Sequence, residues 1–191
     1  KKPLNKENAK LTQRKVDYAF SKEMRCTTDI YNFNYQGTQY TVHVLNAKNT
    51  NKTGIIKKKP IGFSKTIQVT NIERTLLDVT VRPKYSGGAL EVLEAYRQAK
   101  AIADIPKLAE YLKKFDYIYP YEKSALFYLK NTNFPTNALA IFEDLLDESP
   151  NRMINCDLDY QLIHKEEDND IGLFYPSTID NYRDMYDTKT I

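Results

Sequence analysis

After Val69 the hydrophobic period of this chain switches from two to helical, and that switch fixes its class of fold. Tyr31, Phe33 and Tyr35 alternate with polar residues, Gln36-Gly37 supplies a turn, and Tyr40, Val42 and Val44 alternate again. Period two with Tyr and Val enrichment describes a β-hairpin. Gly54-Ile55-Ile56 and Thr66-Ile67-Gln68-Val69 read as further short strands on either side of Lys57-Lys58-Lys59-Pro60. Pro60 places a turn or a sheet edge there, because it cannot donate to a central ladder. After Val69 the apolar spacing becomes helical. Strands first and helices after specify an α+β fold rather than alternating βαβ units.

The helical half is well punctuated. Thr70-Asn71-Ile72-Glu73 has the S/T-x-x-E spacing of a capping box, which predicts Thr70 as N-cap and Glu73 as its reciprocal partner. Arg82-Pro83 ends that helix, since a residue before proline resists the α conformation. Gly87-Gly88 marks a tight turn. A second helix is expected from Ala89 to about Ala103, and a third follows the cap candidate Asp104. A fourth runs near Tyr121 to Lys130, and a fifth starts around Pro135. Ahead of the hairpin, Leu11, Val16, Ala19 and Phe20 share one face of an N-terminal helix over about Thr12 to Glu23. Beyond Pro150 the expected strands are Tyr160 to Ile163 and a late one at Ile171 to Tyr175. The organisation is a linker or tail at 1–10, one domain over 11–176 and a C-terminal tail at 177–191. The chain of 191 residues is long enough to build a core without covalent staples.

Charge is distributed unevenly. The formal net charge is +3, yet Lys1 to Phe142 carries 24 Lys/Arg against 12 Asp/Glu, and Glu143 to Ile191 carries 4 against 13. No acidic residue occurs from Ile30 to Ile72, a stretch that holds Lys48, Lys52, Lys57, Lys58, Lys59 and Lys65. A cationic region without intervening acids suits phosphate contact, and an acidic tail can also latch onto it. Solvated loops, or lysines guarding a strand edge, are the plainer alternatives.

Several chemistries find little support. Cys26 and Cys156 cannot form a disulfide framework or a four-ligand zinc site by themselves. No apolar run exceeds five residues, so neither a membrane span nor a signal-peptide core is expected. Gly87-Gly88 lacks the rest of a phosphate loop. His43 and His164 have no Ser or Cys at suggestive spacing, so no catalytic residue is assigned. Glu166-Glu167-Asp168 and Asp170 have oxygen ligands for a hard cation, but a solvated acidic loop is the favoured reading, and no metal or cofactor is assigned. In Glu73-Arg74-Thr75-Leu76-Leu77-Asp78, Arg74 and Asp78 are four apart and can pair on one helix face, as a surface ion pair or as a partner-contacting polar face.

That last segment carries a resemblance. Val69 to Asp78 (VTNIERTLLD), then Arg82-Pro83, Ser86-Gly87-Gly88 and Glu91-Val92-Leu93-Glu94-Ala95, resembles the C-terminal domain of AbiEi-type antitoxins. Leu11-Thr12-Gln13 with Asp17, Ala19-Phe20 and Arg25 is similar as well, and so is Ile171 to Pro176. The resemblance spans roughly Leu11 to Pro176. It implies the antitoxin domain of a bacterial, cytoplasmic transcriptional regulator of type IV toxin–antitoxin and abortive-infection systems. Such a regulator opposes a nucleotidyltransferase-type toxin without needing a stable complex with it. It also implies operator DNA binding and operon repression through an N-terminal winged helix, which the segment before Leu11 is too short to supply. The chain opens on Lys1 rather than Met, and is read as part of a longer protein.

The expectation is therefore a non-enzymatic binding domain. Lys48, Lys52, Lys57, Lys58, Lys59 and Lys65 would contact nucleic acid, and Glu73, Arg74, Asp78 and Arg82 would form the motif or a partner contact. An enzyme that processes nucleic acid or reverses the toxin's modification through scattered carboxylates is the rival. A domain that chiefly joins the regulator into a homodimer is the third option.

Overall fold

A computed structural model describes residues 11–21, 26–45, 50–147, 152–157 and 164–187. Helix α1, Gln13–Phe20, begins at Thr12, whose hydroxyl accepts the Lys15 amide. Two antiparallel hairpins follow: β1 (Ile30–Tyr35) with β2 (Thr38–His43), and β3 (Ile55–Lys58) with β4 (Ile67–Thr70). Each is a separate two-stranded sheet. The turn between β1 and β2 sits at Gln36 and Gly37, both at positive φ, the mirror-image geometry that matches strand twist.

The helical half then begins with α2 (Ile72–Val81), a single 3-10 turn at Pro83–Ser86, and α3 (Ala89–Ala99). It continues with α4 (Ile105–Phe115), α5 (Tyr121–Asn131) and α6 (Thr136–Asp147). α5 is the central helix. Ala125, Leu126, Phe127, Tyr128 and Leu129 are all buried, so its apolar surface runs all the way round. α2, α3, α4 and α6 pack about it, with Leu77, Leu93, Tyr96, Leu108 and Phe142 filling the spaces. Tyr96 stacks on Tyr128 at 5.3 Å and shares a hydrogen bond of 2.8 Å with Thr80.

A third sheet closes the domain. β5 (Ile154–Asn155) pairs in parallel with β7 (Leu173–Pro176), which pairs antiparallel with β6 (Lys165–Asp168). Tyr119 fastens this sheet to the helices: its hydroxyl donates to the Asn155 carbonyl at 2.8 Å and accepts the Asn155 amide at 2.9 Å. Helix α7, Thr178–Asp187, then returns onto α3 with Ile179 fully buried. Tyr182 donates to the Glu94 carboxylate, which also takes Arg97 Nε at 2.7 Å. These bonds hold the Glu94 carboxyl at about 2, well below the usual range, with Arg97 the largest cause. Among the described residues no helix is long and apolar enough to cross a membrane.

The α+β architecture, the hairpin, the helical series and the late strand are as the sequence predicts. Four local readings change. Thr178–Asp187, expected within a C-terminal tail, is helix α7 packed on α3. The N-cap of α2 is Asn71, not Thr70: Asn71 Oδ1 accepts the Arg74 amide at 3.0 Å. Thr70 is held as the last residue of β4, opposite Ile55, and its hydroxyl meets that of Thr75 at 2.7 Å. With the cap one residue later, the third helical position is Arg74, so Glu73 cannot close a capping box there. The acidic run Glu166-Glu167-Asp168 lies in strand β6, where the ladder to β7 supplies the backbone partners that a loop reading had not foreseen. α3 ends at Ala99 rather than near Ala103. The expected strand at 160–163 lies outside the described residues.

Candidate nucleic-acid interface

Arg74 is the side chain through which the β3–β4 hairpin is attached. Its Nε donates to both carboxylate oxygens of Asp78, at 2.8 and 2.9 Å. Its Nη1 donates to Thr50 Oγ1 at 2.8 Å and to the Thr53 carbonyl at 2.9 Å, and its guanidinium lies 4.7 Å from the Phe115 ring centre. The Arg74 side chain is only 8% exposed while Asp78 keeps 41% of its own exposed, so the pair is half-buried. Planar, multi-donor recognition of this kind suits arginine and not lysine.

Gly54 makes the close approach feasible. Its φ is +74°, and a Cβ there would lie 2.5 Å from Arg74 Cβ. Its carbonyl accepts the Asn71 amide at 2.7 Å, which joins the start of β3 to the start of α2. The β1–β2 hairpin is attached differently. The Tyr85 hydroxyl accepts the Thr27 amide at 2.9 Å, and the His43 and Tyr85 rings stand 6.0 Å apart.

Both attachments border one cleft of about 350 Å³. It is lined by Leu45, Thr50, Arg74, Asp78, Val79, Val81, Arg82, Tyr85, Ser86 and Tyr117. Burial, followed by the Asp78 charge, pushes the Tyr117 phenol further above its usual range. Three of the four motif residues, Arg74, Asp78 and Arg82, thus meet at this cleft. Arg82 is the C-cap of α2, and its amide donates to the Asp78 carbonyl. Glu73 faces away from the cleft. It is buried against the start of α4, with Oε1 accepting the Asp104 amide at 3.1 Å and Oε2 lying 3.4 Å from Lys107 Nζ. The Glu73 charge holds the Lys107 ammonium above its usual range.

The lysines are presented outward. Lys57 and Lys58 lie in β3 opposite Gln68 and Ile67, so they point to opposite faces of the hairpin. Lys59 follows the strand, Lys65 lies in the connection to β4, and Lys52 sits in the turn before β3 with φ +57°. All five are exposed. Lys48 lies outside the described residues.

One surface was not anticipated from the sequence. In the β1–β2 register Tyr31 faces Val42, Phe33 faces Tyr40 and Tyr35 faces Thr38, so one face of this hairpin is aromatic. Phe33 and Tyr40 stack at 5.3 Å and 15°, yet remain 51% and 43% exposed. The alternation was readable, but it signals an apolar face without telling whether another layer covers it. Among the described residues no group of three or more His, Cys, Asp or Glu converges as a metal site. No family model, curated protein or solved structure matches this chain.

Proposed function

We propose that this chain is the antitoxin domain of a bacterial type IV toxin–antitoxin regulator. On this reading it acts in the cytoplasm by binding rather than by catalysis, and opposes a nucleotidyltransferase-type toxin. The sequence resemblance over Leu11 to Pro176 motivates the assignment. The observation that carries the binding reading is the division of labour around the motif. Glu73, Arg74 and Asp78 use their polar atoms to join α2, α4 and the β3 turn. The hairpins they support are exposed, free of acidic residues from Ile30 to Ile72, and armed with Lys52, Lys57, Lys58, Lys59 and Lys65. In the complete regulator those lysines supply auxiliary phosphate contacts beside DNA that a winged helix reads, and so add to operon repression.

The test is co-expression with the nucleotidyltransferase toxin encoded beside this chain. Restored growth is expected, whether or not the two proteins co-purify. Growth arrest that persists beside soluble, folded chain removes the antitoxin reading. The phosphate-contact part is tested separately in the complete regulator: Lys57→Gln, Lys58→Gln and Lys59→Gln together should flatten the salt dependence of DNA binding by nearly one unit per lost contact.

A further inference from the structure

Among the described residues, the aromatic face of the β1–β2 hairpin takes no part in the apolar core. None of Tyr31, Phe33, Tyr35, Tyr40 or Val42 belongs to the apolar core, and all five are exposed. Four half-exposed rings make a patch of about 400 Å², given roughly 200 Å² for each aromatic side chain. A patch of this size is on the scale of the largest apolar patch of a typical single chain, which is often functional.

We propose that this face is a stacking platform for the unpaired bases of a single-stranded nucleic acid, whose phosphates meet the lysines of the neighbouring β3–β4 hairpin. This deepens the reading above, from which it takes only the phosphate-contacting lysines. Flat aromatic rings beside cationic side chains recognise single strands because every base has a π face and every linkage a charge. A duplex keeps its base faces inside its own stack, so it can use the lysines but not the rings. The two hairpins are attached at one cleft, β1–β2 through Tyr85 and β3–β4 through Arg74. His43, which meets Tyr85, lies on the opposite face of the β1–β2 hairpin from the rings, so a strand that touches both passes over the edge of the hairpin. The acid-free sequence from Ile30 to Ile72 gives the whole region the sign that complements a polyanion.

The experiment is fluorescence anisotropy with labelled oligothymidylate and oligouridylate of about a dozen bases, enough for one site, and with a duplex of the same length. The single strands should bind more tightly than the duplex. Phe33→Ala with Tyr40→Ala should weaken single-strand binding by about 10-fold or more, at roughly 1–3 kcal/mol per stacked base. The salt slope of the remaining binding should be unchanged. Phe33→Leu with Tyr40→Leu keeps the strand apolar but removes both π faces, and should lose nearly as much. Both double variants should retain the thermal unfolding midpoint of the parent. Equal affinity for duplex and single strand overturns the proposal, as does binding that the leucine variant retains in full. Light scattering that shows a dimer dependent on Phe33 and Tyr40 also overturns it, by assigning the face to a second copy. A protein toxin captured through Phe33 and Tyr40 does the same. An unchanged salt slope in the triple Lys→Gln variant, beside a clear effect of the ring substitutions, removes the phosphate contacts of the reading above and leaves the stacking platform standing.

Discussion

Glu73 completes the N-terminal cap of a helix to which it does not belong. Its Oε1 accepts the backbone N–H of Asp104, the N-cap of α4, while Asp104 Oδ1 accepts the Lys107 amide at 3.1 Å. In a capping box, one helix supplies both groups. Here α2 supplies the glutamate and α4 the aspartate, so a local motif becomes a link between two helices. α4 has Lys107 at its own third position, which cannot accept a hydrogen bond but can pair with the visiting carboxylate.

This arrangement predicts a non-additive pair. Glu73→Ala should destabilise by about 1–3 kcal/mol, because the Asp104 amide loses its acceptor. Asp104→Ala should cost about 0.5–2 kcal/mol. The double variant should lose less than the sum, since both act on one helix start. Chemical denaturation of the four proteins measures the coupling, and strict additivity would contradict the shared cap.

The position of the α2 cap gives a second ranking. Asn71→Ala should cost about 0.5–2 kcal/mol as an N-cap loss, with a further loss from its bond to the Tyr111 hydroxyl at 3.1 Å. Thr70→Ala should cost less, because Thr70 does not cap. The same denaturation series decides the order, and a larger loss at Thr70 would restore the cap that the sequence spacing suggests.

Arg74→Lys should loosen the β3–β4 hairpin before it unfolds the helices. A single ammonium cannot serve Asp78, Thr50 and the Thr53 carbonyl together, and one buried acceptor left bare costs about 1–3 kcal/mol. Amide hydrogen exchange should speed up across Ile55 to Thr70 and stay slow in α5. Uniform acceleration throughout the molecule would show that Arg74 supports the core rather than the hairpin.

Two glycines with similar backbone angles should respond differently to Ala. Gly54 at φ +74° would place a Cβ 2.5 Å from Arg74 Cβ, whereas Gly62 at φ +83° has nothing within 4 Å. Gly62→Ala should cost only the left-handed penalty, about 1–2 kcal/mol. Gly54→Ala should cost more, through displacement of Arg74. Thermal unfolding of the two variants measures the gap, and equal losses would mean that Arg74 yields without cost.

The Glu94 contact to α7 gives an acid-dependent prediction. Its carboxyl is depressed to about 2, so the contact stabilises fully above the usual carboxylate range of about 4.3. That contribution declines as the pH falls towards 2. The stability difference between the parent and Glu94→Gln should be constant near neutrality and shrink below about pH 4. A difference that stays constant down to pH 2 would exclude titration of this group. Partial exposure of the pair limits its size through solvent screening.

Local punctuation was the most legible part of the fold. Asp104, Arg82-Pro83 and Gly87-Gly88 act where their chemistry places them, because caps and breakers depend on the few residues around them. Thr70 was misread for a related reason: two adjacent cap candidates compete, and the strand partner Ile55 that claims Thr70 is remote in sequence. The three-stranded sheet was hardest to read, because the two-residue strand β5 exists only through its pairing with β7. The exposed lysines were visible from charge alone. The trans cap by Glu73 and the hub at Arg74 were not, since both depend on which helix lies beside which.

Because the strands of both hairpins place no side chain in the apolar core, the exposed surface of these arms and the stability of the bundle are written in different residues. Substitutions on Tyr31, Phe33 or Lys57 can accumulate without eroding the helical bundle, provided that Arg74, Gly54 and Tyr85 keep the attachments. The two arms can therefore vary in sequence at little cost in stability. Transplanting a foreign hairpin between Thr27 and Leu45 would be a practical route to new binding specificities on the same chassis.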